Sequence, residues 1–293
     1  MFNRLFGNYL VESELISSEM LERIYEAQKV SRLKLGFIAV EEGFMTQKEA
    51  EEVNSIQLQI DRRFGDIAVE KGFLTEAQLK TILSKQKNPY LSFAQAAGKV
   101  TDLTSDVLSE YLMEFKSKYN FSALQLEAIK NDDINTIVKC FSPFSDEEVN
   151  DIYALCGRMI MRLVDDSAVL KPDSFAEYED YYADIAVCQQ VLGDSEFCLA
   201  VSGTEDELLG LSRAFAREDF PVVNDAALDA VCEFVGDLTG VYVSAGKDDG
   251  RHLSSEAPLV FEYKKFMQKV YSVTFVISGS DVSFLLFPGE RVY

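Results

Sequence analysis

Glycine recurs at positions 7, 36 and 65, and glutamine at 28, 57 and 86, each time 29 residues apart. A fixed period of this length constrains the fold more than any other feature of the chain. It implies that one supersecondary unit is copied and stacked, because a single unit of this size cannot bury its own apolar face. The third copy, RFGDIAVEKGFLTEAQLKTILSKQ from Arg63 to Gln86, is the clearest. The second is KLGFIAVEEGFMTQKEAEEVNSIQ from Lys34, and the first is LFGNYLVESELISSEMLERIYEAQ from Leu5. Adding 29 to Phe64, Ala68, Leu74, Thr75, Leu79 and Leu83 lands on Phe93, Ala97, Leu103, Thr104, Leu108 and Leu112. A fourth copy therefore continues the register without the glycines and the glutamine, as terminal repeats do.

Each copy reads as two short helices. The first carries Ile67, Ala68 and Val69 and is broken by Gly72, which can adopt the left-handed conformation of a helix end. Thr75 then caps the second helix with Gln78 three residues on, and Thr46 with Glu49 repeats the device. Leu79 and Leu83 are placed one turn apart on the buried face. In this spacing the segment resembles the MshEN module at the N-termini of type II secretion and type IV pilus ATPases, over roughly residues 4–116. That module carries an Arg-Leu-Gly start, paired aliphatics around a glycine, then leucines and a glutamine.

The resemblance implies cyclic di-GMP as a ligand, held by two adjacent motifs. Copies two and three match best and are joined by the five-residue spacer Leu58 to Arg62. The implied contacts are Lys34, Leu35 and Gly36 in one and Arg63, Phe64 and Gly65 in the other. The arginine position holds Leu5, Lys34, Arg63 and Ser92 in turn, and the inner leucines of copy two are Ala50 and Asn54. Lysine is the poorer bidentate and stacking group. Two readings stay open: a dinucleotide site, and a packing scaffold on which Lys34 and Arg63 are solvated charges.

Charge bears on the rest. The chain of 293 residues has a net charge of −21, which excludes nucleic acid as a main partner, since phosphate backbones need a basic surface. Residues 1–90 carry 12 basic and 14 acidic side chains, so all but 2 of those 21 charges fall on residues 91–293. An anionic ligand therefore meets the least repulsion at the N-terminal repeats. The sequence offers neither a spanning apolar run nor a signal-peptide core, so a cytoplasmic protein without membrane insertion is expected. Five cysteines with no CxxC pair, and a single histidine, His252, leave no metal-ligand spacing, and no cofactor is expected.

Residues 117–146 mix polar stretches with a short helical pattern and read as a linker helix and loop, with a boundary near Phe141 to Asp146. From Glu147 to 293 the pattern is that of a second domain. Glu147 to Leu170 has helical periodicity. YADIAVCQQVL and FCLAVSG, divided by Gly193 to Glu196, form a hairpin. Thr204 with Glu207, then Asn224, cap two helices. A polar loop, Lys247 to Glu256, follows, and VYSVTFVIS with DVSFLLF forms a second hairpin around Gly279-Ser280. The expected fold class is α+β: helical tandem repeats over 1–116, then a sandwich of helices on a mostly antiparallel sheet over 147–293.

This order, and the stretch SGTEDELLGLSRAFAREDFPVVNDAALDAVCEFVGDLTG, resemble the CheX family of chemotaxis phosphatases. Members place Asp or Ser, then Glu four residues on, then Asn three further, on one helix face. The resemblance implies an Asn that orients water for in-line attack on a receiver's aspartyl phosphate and a Glu that engages the receiver's lysine. Here Asp229 and Glu233 match, but Gly236 stands at the Asn position and offers no amide. Asp237 lies about 100° further round the helix. Glu147 and Asn150 share the Glu-x-x-Asn spacing, but Pro143 precedes them where an acid or serine belongs. His252 reads as an exposed loop residue, and Phe275, Phe284 and Phe287 as core. The expectation is a signal-transduction adaptor with a degenerate catalytic motif, binding a CheY-like receiver, rather than an enzyme. Its rivals are an active aspartyl-phosphate phosphatase using Asp237, and a structural interaction protein of a motility or secretion system. A homodimer through the C-terminal sheet is expected from an exposed edge strand.

Overall fold

A computed structural model describes residues 1–60 and 62–289. Asp61 of the spacer and the last four residues of the second expected domain lie outside the described residues. The chain divides into two compact units, one of residues 2–132 and one of residues 133–289 with Met1.

The first unit is a run of helix pairs: α1 (Phe2–Glu12) with α2 (Ser18–Val30), α3 (Leu35–Glu41) with α4 (Gln47–Gln57), α5 (Phe64–Glu70) with α6 (Glu76–Ser84), and α7 (Pro89–Val100) with α8 (Ser105–Lys118). A further helix, α9 (Ala123–Lys130), follows them. The period is visible in the backbone. Ser17, Thr46, Thr75 and Thr104, spaced by 29, are all N-caps with φ between −80° and −86° and ψ between 155° and 161°. Thr46 with Glu49 and Thr75 with Gln78 close reciprocal capping boxes, satisfying two otherwise orphaned N–H groups each. Gly43 and Gly72 sit at φ +68° and +74°, just beyond α3 and α5, and Glu14 takes the same left-handed place in copy one at φ 58°.

The repeating glycines have a packing cause. Gly7, Gly36 and Gly65 each face the residue 14 further on in the partner helix. A Cβ at Gly7 would lie 2.7 Å from Leu21 Cδ1 and 2.2 Å from the Tyr25 hydroxyl, and one at Gly65 would lie 2.6 Å from Leu79 Cδ1. At Gly36 the partner is the smaller Ala50, 3.5 Å away, and the ring of Phe64 fills the remaining space at 3.1 Å. Copies one and four share an aromatic core, with Phe6 at 5.8 Å from Phe93 and 5.6 Å from Phe115, ring centre to ring centre.

One expectation about this unit fails. Leu83 is 47% exposed, and Ile82 takes the buried position with Ile24 and Val53, its equivalents in the earlier copies. The residues equivalent to Leu83 are buried only in copies one and four, as Tyr25 and Leu112. There the neighbouring copy covers that face, so the difference is tertiary rather than local.

The division at 132/133 falls inside the segment read as a linker. Residues 117–132 pack with the helical unit, and residues 133–146 belong to the second. The second unit begins with α10 (Ile134–Phe141) and α11 (Glu147–Met159), which runs into a π turn over Ile160–Val164. The helix expected to Leu170 thus ends early, because Val169 and Leu170 form a strand, β1, paired with Val276 and Phe275. β2 (Ala176–Tyr178), β3 (Tyr181–Gly193) and β4 (Phe197–Gly203) follow, then α12 (Glu205–Ala216) and α13 (Asp225–Asp248). The chain finishes through β5 (Leu253–Ser255), β6 (Leu259–Phe266), β7 (Val270–Ile277) and β8 (Ser280–Pro288). The segment read as a polar loop, 247–256, contains the last two residues of α13 and the strand β5, which pairs with Val191–Gly193.

All strand pairs are antiparallel, in the order β1-β7-β8-β4-β3-β5, with β2 also on β7 and β6 also on β3. Both expected hairpins form. Ser278 and Gly279, at φ 51° and 86°, make the β7–β8 turn, a pair of positive φ values that matches the sheet's twist. Residues 185–191 of β3 are buried without alternation, which requires cover on both faces. One face clusters the small side chains Ala186, Cys188, Cys198 and Ala200 with Leu285 and Phe287 of the neighbouring β8 and Phe266 of β6. On the other, Phe234 of α13 stands 6.4 Å from Phe284, which stands 5.3 Å from Phe275.

Candidate functional site

Helix α13 carries the residues that the motif singles out. Asn224 caps it by accepting from the Ala227 N–H at 2.9 Å. Ala227, Ala230, Val231, Phe234, Val235 and Leu238 form the buried stripe, at three- and four-residue spacing. The opposite side presents Asp225, Asp229, Glu233 and Asp237, all exposed and each one turn from the next. Asp229 and Glu233 therefore share a solvent face, with Gly236 beside them.

At Gly236 a Cβ would meet only the Gln189 carboxamide oxygen, 3.8 Å away. That oxygen is buried without a hydrogen-bond partner, while the Gln189 amide donates to the Glu256 carbonyl at 2.8 Å. Gln189, on β3, has no motif to announce it, and pairing of its strand alone brings it beneath the helix. One turn on, a Cβ at Gly240 would meet nothing within 4 Å. Asn150 is buried and donates to the Phe144 carbonyl at 3.0 Å, a structural role apart from this face. His252 is exposed, and Phe275, Phe284 and Phe287 are fully buried.

In the helical unit a cleft of about 620 Å³ contains Lys34, Gly36, Ala50 and Asn54, four of the motif positions of copy two. The other half of the expected pair is absent from it: Arg63, Phe64 and Gly65 are not among its described lining residues. Phe64 is buried against Gly36, and Arg63 is the exposed N-cap of α5. The remaining wall comes from the end of copy one and from α7. Gln95 of α7 holds the near rim, accepting from the Lys34 N–H at 2.8 Å and donating to the Arg32 carbonyl at 3.1 Å. Among the described residues there is no group of three or more His, Cys, Asp or Glu placed to hold a metal ion. No described helix is long and apolar enough to cross a membrane.

No family model matches the chain, and no curated protein matches its sequence. Solved structures of chemotaxis proteins do resemble it over about half its length. A CheC-like superfamily protein from Shewanella sp. PV-4 aligns at 12% identity and a TM-score of 0.42, over 48% of this chain and 97% of its own. The chemotaxis protein CheX from Desulfovibrio desulfuricans aligns at 13% identity and a TM-score of 0.38, over 49% and 100%. The CheX-CheY-BeF3-Mg complex from Borrelia burgdorferi aligns at 11% identity and a TM-score of 0.37, over 48% and 97%.

Proposed function

We propose that the second unit binds a CheY-like receiver domain through the exposed face of α13 and serves as an adaptor that leaves the receiver's phosphate largely intact. The observation that carries this reading is Gly236. The helix keeps the acid pair Asp229 and Glu233 at the surface, but Gly236 supplies no amide beside them to orient a water.

The composition of that face supports docking. Acids one turn apart repel by a few tenths of a kcal/mol per pair, and a glycine inside a helix costs roughly 1 kcal/mol relative to alanine. Neither Gly236 nor Gly240 is required by packing within the chain. The bare backbone and the carboxylates together suit close approach by a partner surface that presents a lysine. Asp237 is an inferior substitute for the missing amide, because its charge repels a phosphoryl group. The test is incubation of the full chain with phosphorylated receiver domains, following complex formation and phosphate release separately. Binding with little release is expected. Rapid release that Asp237→Ala abolishes would establish the enzyme reading instead.

The cleft at Lys34 favours a second role, binding of cyclic di-GMP by the helical repeats. On the adjacent-motif reading the phosphates lie at Lys34 and Arg63, and Arg63→Ala weakens binding strongly in calorimetry. An absence of saturable heat at high ligand concentration favours a scaffold.

A further inference from the structure

The cleft beside α3 brings together three cations from two parts of the chain: Arg32 and Lys34 in the segment leading into the helix, and Lys99 from α7. Among the described residues no acidic side chain lines it, in a protein of net charge −21. Like charges gathered without carboxylates raise the local positive potential and draw an anion from solution. The site is held in shape. Gln95 fastens the Arg32–Lys34 segment through both of its amide atoms, and the Lys99 ammonium reaches the Ser31 hydroxyl at 3.2 Å. The rest of the lining is unlike a plain phosphate site. Phe37 provides a half-buried ring, Gln47 and Asn54 provide amides that both donate and accept, and Gly98 leaves the backbone open. The volume of about 620 Å³ falls in the range of small-molecule sites, roughly 300–1,000 Å³.

We infer that copies two and four of the repeat, not copies two and three, form a nucleotide-binding cleft. The phosphate lies between Lys99, Arg32 and Lys34, and the base lies toward Phe37, Gln47 and Asn54. This rests on the second reading above only in taking the cleft as a place for phosphate, and it moves the second half of the site from Arg63 to Lys99. Position 99 has no part in the repeat motif, so only the packing of α7 against α2, where copy one ends and copy two begins, could supply it.

Calorimetry on the full chain distinguishes the two arrangements, with cyclic di-GMP, GMP and inorganic pyrophosphate as probes. Lys99→Ala should weaken nucleotide binding about tenfold or more, as loss of a charge-assisted bond to phosphate does, while Lys99→Arg retains it. Arg63→Ala should change affinity less than twofold. Both positions are exposed, and circular dichroism checks that each variant is folded. Strong loss in Arg63→Ala with none in Lys99→Ala overturns this assignment and leaves the adjacent-motif reading standing. Absence of saturable heat from all three probes overturns both. Pyrophosphate binding as tightly as the nucleotides overturns the base-binding half.

Discussion

Replacing Gly236 with asparagine probes stability and chemistry at one position. The helix gains a few tenths of a kcal/mol from the difference in propensity. The new side chain enters open space, since its Cβ would meet only the Gln189 oxygen at a van der Waals distance of 3.8 Å. That oxygen is buried and lacks a donor, so an Asn amide N–H directed at it would add about 1 kcal/mol, the usual net value of a hydrogen bond. The total is about 1–2 kcal/mol, which for a unit of this size corresponds to a rise of roughly 2–8 °C in Tm. With its N–H turned to Gln189, the Asn oxygen faces solvent beside Glu233, where it can accept from a water. Scanning calorimetry and phosphate release from a phosphorylated receiver measure the two effects. Gly236→Ala is the control, because it improves the helix by about 1 kcal/mol and supplies no amide. G236N should exceed G236A in dephosphorylation and, on removal of the acceptor by Gln189→Leu, should lose its extra stability. Equal phosphate release from G236N and G236A would refute the idea that the missing amide limits this chain.

Other outcomes follow from the packing and charge described above. Gly7→Ala places a methyl 2.2 Å from the buried Tyr25 hydroxyl, so it should destabilise the helical unit by about 1–3 kcal/mol in urea unfolding. Gly43→Ala should instead cost about 1–2 kcal/mol through its positive φ alone. Asp165 is half-buried, and burial raises its pKa, but hydrogen bonds from Ser167 and Ser278 outweigh that and leave it lowered. A lowered folded pKa stabilises the native state above the unfolded value and loses that contribution as pH falls through the folded one. The stability gap between the native protein and Asp165→Asn should therefore shrink from pH 7 to pH 3 in denaturant titrations. β6 pairs with β3 on one side among the described residues and exposes Leu259, Val260 and Tyr263. A dimer formed there should appear in light scattering and be lost in Val260→Asp, and a monomer at high concentration would count against it.

What the sequence alone determined is local. The 29-residue period, the caps at Thr46 and Thr75, the break at Gly72, and both hairpins depend on side-chain bonds and backbone angles within a few residues, and the pattern of residue types records such effects directly. The α+β class was legible for the same reason, because strand runs and capped helices alternate in the second half. Asp229 and Glu233 were placed on one exposed face by helical spacing alone. Tertiary structure decided what depends on distant neighbours. Leu83 is exposed while its equivalents Tyr25 and Leu112 are buried, according to which copy lies alongside, and 169–170 leaves the helical pattern because β7 offers it hydrogen bonds. Gln189 comes beneath Gly236 through strand pairing, and Lys99 joins Lys34 through the packing of α7 on α2. No spacing encodes such pairs, since each residue of the pair satisfies its own local pattern and only the packed chain brings the two together.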